Sequence, residues 1–190
     1  MSYIQTLLAK IKDAEGGWPH FQTPDFLQTL EEFAQEAFAK SSIEGHLAAL
    51  LIWHQLCEEM ARLLLRDAQF FIQLSVYPAE IEFREKRKLM FGQILDALSE
   101  TISFEGKGEF LEGCQKFNTQ RIELAHRLTQ HSSITDIMAR VVEAKLIYER
   151  VFLIFEDAHD AFRVDFHSFA RDDFLDLIEE GDDANGQDAN

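Results

Sequence analysis

Between Ile43 and Phe71, apolar side chains recur at steps of three and four: Ile43, Leu47, Leu50, Cys57, Ala61, Leu64, Ala68 and Phe71, with His54 filling one place in the row. No proline interrupts the segment. A row of that period and length points to one long helix laid against other helices. Ser41 followed by Glu44 reads as a capping box, which opens this helix at about residue 42. It is expected to run to about 74, before Pro78.

A second row, Phe110, Cys114, Phe117, Leu124 and Leu128, has the same period, and Arg121 sits in the middle of it. Further helices are expected on each side. An amphipathic one covers 2–13 and ends at Gly16-Gly17. Another follows Thr23 as N-cap, with Pro24 at its first position and Asp25 in its first turn, and runs to about Lys40. A helix over about 79–100 carries the basic cluster REKRK (84–88), and SFEGKGEF breaks the chain after it. The last long helix starts near Ile134 with Asp136 close to its positive end. Its segment LIYERVFLIF is apolar on nearly every side, so it belongs in the centre of a bundle or in a subunit interface. Phe155, Phe162, Phe166 and Phe169 continue one face of it. With only 3 Pro and 9 Gly, turn signals are too sparse for a strand-rich fold. The expectation is all-α: one domain over 1–180, a bundle of five to six helices, then a disordered acidic tail at 181–190.

Charge and cysteine usage narrow the function classes. The formal charge is −16, but residues 154–190 hold 12 acids against 2 bases, leaving −6 for the remainder. Even −6 makes a poor electrostatic host for a nucleic-acid backbone. Cys57 and Cys114 both fall in apolar helical rows and read as reduced core residues. The opening MSYIQTLLAKIKD is interrupted by Lys10 and Lys12, unlike a secretory signal, and no apolar run is long enough to cross a bilayer. A cytoplasmic protein without membrane association is expected.

Several constellations have a plain structural explanation. His54, Cys57 and Glu58 have a spacing that could hold a metal, but no second Cys/His pair follows, so a core histidine is favoured. His159, Arg163 and His167 lie one turn apart and read as a solvated charged face. REKRK sits among Glu82 and Glu85, and pairing on an exposed helix accounts for much of it; it is also the obvious contact for an RNA backbone. No metal or other cofactor is expected.

A long helix with Glu58 and Glu59 in mid-row, a break, the segment KRKLMFGQILDAL, a glycine-containing loop and then FLEGCQKFNTQRIELAH follow in this order. That order resembles the HEPN superfamily (higher eukaryotes and prokaryotes nucleotide-binding domains), nearest in layout to its mannitol-repressor-like branch. The resemblance covers about residues 42–160. In that superfamily the penultimate helix carries Arg-x4-6-His, matched here by Arg121 and His126. The spacing alone is expected about once by chance in a chain of this composition.

The resemblance implies two function classes. Catalytic members resemble metal-independent endoribonucleases in which two chains line one cleft. A histidine there takes the 2′-hydroxyl proton or protonates the leaving oxygen, while a guanidinium holds the phosphorane-like transition state. Arg121 and His126 would carry those roles here. Asn118, one turn before Arg121, is a candidate phosphate donor, and His54, Glu58 and Glu59 are grouped with it as binding candidates. Five helical positions separate the Arg121 and His126 directions by about 140°, a mismatch that a two-fold interface relieves.

The second class is a non-catalytic interaction or regulatory module, in a stress, defence or transcriptional-control system. Ile122, apolar where the family often has a polar residue, and the acidic balance both favour this class. Arg121 is then a structural ion-pair partner of Glu58 or Glu59. A homodimer through the central apolar helices is expected in either case, with a further protein partner under the module and RNA only under the enzyme.

Overall fold

The computed structural model describes residues 18–76, 79, 81, 83 and 89–170, with backbone alone at 126 and 164–170. Five α-helices account for most of them: α1 Pro24–Ala39, α2 Ile43–Ser75, α3 Phe91–Ser99, α4 Lys107–His126 and α5 Ile134–Ala170. A 3-10 turn at Leu128–Gln130 joins the last two. No strand occurs among the described residues, so the fold class is all-α. The expected helix at 2–13, the basic cluster at 84–88 and the tail at 181–190 lie outside the described residues.

α2 is the pivot, packing against α1, α3, α4 and α5. Leu50 and Leu64 of its row are fully buried, as the periodicity predicts, and so are Trp53 and Leu63 beside the row; they are joined by Ile94, Leu95 and Leu98 of α3, Phe110, Phe117 and Leu124 of α4, and Val141 and Val151 of α5. Each such side chain contributes about 1.5–3 kcal/mol of burial. Cys57 and Cys114 are buried free thiols in this core, and burial, then the Cys114 contact, pushes the Cys57 thiol well above its usual range. Tyr148 of α5 stacks on Trp53 at 5.5 Å and donates its hydroxyl to Glu31 of α1 at 2.6 Å, tying three helices together.

Two local expectations are corrected. The cap of α2 is Ser42, whose side chain accepts from the Gly45 backbone N–H at 3.1 Å. Ser41 instead turns the chain with φ of 52°, because the α1–α2 connection must reverse direction within three residues. Gly45 is required at this corner: a Cβ there would lie 2.2 Å from the Ala37 carbonyl oxygen. The second correction is at α3, which begins at Phe91, not near 79. The Gln73 side-chain amide donates to the Ala79 carbonyl and accepts from the Ile81 N–H, both at 2.9 Å. Those backbone groups are satisfied by a side chain of α2, so a helix is not needed to pair them.

Lys107 organises the other end of α3. Its ammonium donates to the carbonyls of Ser99, Thr101 and Ile102 at 2.9–3.0 Å, closing the break before α4. The apolar α5 segment divides between two environments. Tyr148, Val151, Ile154 and Phe155 enter the core, whereas Val142, Leu146 and Leu153 are 44, 62 and 53% exposed. The continuation of the inner face is buried at Phe155 and Phe162; the side chains of Phe166 and Phe169 lie outside the described residues. No helix among the described residues is long and apolar enough to cross a membrane.

Candidate functional site

Residues far apart in sequence meet where α2 crosses α4. Asn118 and Arg121 are three positions apart and so share a side of α4; His54 projects from the buried side of α2 and is 2% exposed. Nε2 of His54 lies 3.0 Å from Oδ1 of Asn118 and 3.4 Å from Nη2 of Arg121. The side-chain amide nitrogen of Gln55 is 3.4 Å from Nδ1. One proton arrangement fits the two amide contacts: Nε2–H donates to Asn118, and Nδ1 accepts from Gln55. Arg121 is then an electrostatic neighbour of the imidazole and not a donor to it.

The ring is boxed by aromatic side chains, with Phe91 edge-on at 5.2 Å and Phe117 stacked at 6.4 Å. Burial depresses the His54 pKa, and the Arg121 charge lowers it further against the opposing pull of Asn118 and Glu58. A neutral imidazole is therefore the stable form at neutral pH. Chemically, the junction offers an uncharged imidazole, an amide and a guanidinium within one small volume.

Three of the six residues singled out in the sequence, His54, Asn118 and Arg121, are thus brought together. Glu58 and Glu59 engage Arg62 one turn along their own helix, at 2.7 and 3.5 Å. His126 is the last residue of α4, and its side chain lies outside the described residues. Because Arg121 and His126 belong to the same helix, the separation of about 140° applies within one chain. Leu128, expected to continue the buried row, is 38% exposed because α4 has ended and the 3-10 turn redirects it. Among the described residues no group of three or more His, Cys, Asp or Glu side chains could hold a metal ion.

The sequence reading missed a second junction. Asp67 of α2 is fully buried, with Nδ1 of His159 at 2.7 Å and Nη1 of Arg163 at 3.3 Å. Arg163 also donates to the carbonyls of His159 at 2.6 Å and Pro19 at 2.8 Å. Its guanidinium lies 5.3 Å from the centre of the Trp18 ring. His159 and Arg163 are therefore not a solvated face: they neutralise a buried acid and clamp residues 18–19 to α5. The available signal was Asp67 itself, one place before Ala68 in the apolar row of α2.

Neither the family models, nor the curated proteins, nor the solved structures that were searched gave a match to this chain.

Proposed function

We propose that the chain is a non-catalytic helical interaction module of HEPN-like build, working as a homodimer whose copies meet along α5. The observation that carries this is the outward row Val142, Leu146 and Leu153, three large aliphatic side chains at steps of four and seven on one helix. Aligned apolar exposure of this kind marks an interaction surface more often than a solvated one. The His54–Asn118–Arg121 junction is, in this reading, an architectural lock between α2 and α4. Its histidine is almost wholly buried and is satisfied by neutral partners.

The alternative is a metal-independent endoribonuclease using Arg121 and His126. A half-buried guanidinium beside an uncharged imidazole and an amide favours it, since such groups can hold a phosphodiester. Two copies would be needed to bring Arg121 of one chain and His126 of another into one cleft.

Sedimentation of the full chain tests the first reading. A dimer at micromolar concentration is expected, reduced to monomer by Leu146→Glu with little change in thermal stability. A monomeric wild type sinks the dimer. Incubation with labelled RNA in the absence of divalent metal tests the second. Products with 2′,3′-cyclic phosphate ends, lost in Arg121→Ala and His126→Ala variants that still fold, would replace the module with an enzyme.

A further inference from the structure

α1 turns two phenylalanines to solvent. Phe26 and Phe33 are 58 and 55% exposed, whereas the next most exposed phenylalanine among the described residues, Phe152, is at 36%. Seven positions bring the two back to within about 20° of each other on a helix. Leu30 and Ala37, both half-buried, fall on the same side. The opposite side of α1 is held in the core through Ala34 and Phe38. One edge of the outer row is acidic: Asp25, Glu32 and Glu36 precede Phe26, Phe33 and Ala37 by one position each, and Pro24–Ala39 contains no base. A mixed apolar and anionic row of this kind fits an amphipathic helix that carries cations.

The chain carries that complement in its own sequence. Residues 1–17 lie outside the described residues; within them Tyr3, Ile4, Leu7, Leu8 and Ile11 recur at helical spacing. Lys10 and Lys12 fall on the two flanks of that row, and no acid occurs between positions 3 and 12. The tether is short. Trp18 is fixed against Phe70, with ring centres 4.9 Å apart, and α1 begins six residues later. Seven residues lead back from Trp18 to Ile11, a reach of up to about 25 Å. A tether of this length holds the segment near α1 at an effective concentration on the order of millimolar, so a weak contact suffices. A second copy is a worse occupant, because its α1 brings the same acids to face the first set.

We propose that the outer row of α1 is the docking surface for residues 3–12 of the same chain, whose apolar row covers Phe26 and Phe33 while Lys10 and Lys12 sit among the acids of α1. The segment is then a built-in competitor: any other protein that uses this row has to displace it first. The proposal depends neither on the dimer along α5 nor on either reading of the His54 junction.

A nitroxide at position 6 of the full chain tests this. Thr6 lies off the apolar row of the segment, and the two native cysteines are buried, so Thr6→Cys offers the accessible thiol. With nitroxide and nitrogen-15 on the same chain, the amide signals of α1 from Phe26 to Ala37 should broaden more than those of the α5 row around Leu146 and Leu153. With the nitroxide on unenriched chains mixed with enriched, unlabelled ones, α1 should stay sharp. Phe33→Gln, at a position more than half exposed, should leave the core signals in place and lower the docked-to-undocked ratio about tenfold. Leu51→Gln on α2 should not change it. Raising the salt should weaken the broadening, because the charge contacts are screened. Broadening that is spread evenly over the surface, that centres on the α5 row or that survives Phe33→Gln overturns the proposal. Broadening of α1 in the mixed sample overturns it as well, in favour of a second copy as the occupant.

Discussion

At His54, α2 meets α4 through an imidazole, an amide and a guanidinium; at Asp67, thirteen positions further along, it meets α5 through a carboxylate, an imidazole and a guanidinium. Both central groups are out of water, at 2% and 0% exposure. Their surroundings differ because their charges differ. The imidazole can discard its charge, and burial depresses its pKa so that neutral amides suffice. The Asp67 carboxylate is instead matched by His159 and Arg163, whose side chains are each 23% exposed and so keep part of their hydration. Burying a group that stays charged demands partners of opposite sign; burying one that can become neutral demands only hydrogen bonds.

The largest effect should come from breaking the charged junction. Arg163→Met keeps much of the aliphatic bulk but leaves Asp67 with His159 alone. A loss of about 3 kcal/mol is expected, the lower end for removing one partner of a buried pair. Urea unfolding followed by fluorescence measures it, and native emission should also move to the red as Trp18 loses the guanidinium over its ring. If the loss is only about 0.5 kcal/mol, the size of a surface pair, the two junctions do not differ as argued.

The neutral junction should yield less. Asn118→Ala removes the acceptor of the His54 Nε2–H and should cost about 2 kcal/mol, the penalty of an orphaned buried donor. Asn118→Asp is the sharper variant, since it converts this junction into a copy of the other: carboxylate, imidazole, guanidinium. It should recover part of the loss and raise the His54 pKa instead of leaving it depressed, which NMR titration of the ring reads directly. An Asp variant whose imidazole stays neutral through pH 6 would show that desolvation, not the partner's charge, governs the site.

Much of this was legible from periodicity. The rows 43–71 and 110–124 fixed two helices and their buried sides, and Arg121 stood out because it broke a row. Asn118 followed from being one turn away on the same side. What periodicity does not encode is which rows face each other. His54 was visible as a core histidine, and Asn118 as a polar neighbour of Arg121, but their pairing spans 64 positions. Asp67 was hidden for the same reason, its partners lying 92 and 96 positions away. The helix expected from 79 failed because Gln73, a side chain on another element, takes the backbone groups that a helix would have paired.

The smallest expected effect is also the most diagnostic of the neutral junction. With a folded-state pKa below the unfolded value, His54 binds its proton more readily when the chain is open. Acid therefore favours the unfolded state. The stability that depends on a neutral His54 is fully present above the ordinary imidazole value of about 6.5, and it is lost as pH falls from there through the depressed folded value. His54→Gln keeps an amide N–H for Asn118 and removes the titration. Denaturation midpoints at pH 7.5 and pH 5 should therefore lie further apart in wild type than in His54→Gln, with wild type losing more on acidification. Carboxylates elsewhere, such as Asp136 held below its usual range by the His131 bond, titrate in both proteins and cancel in the comparison. An equal gap in the two proteins would mean that His54 takes up its proton without cost. Its amide partners would then not be what makes its burial tolerable.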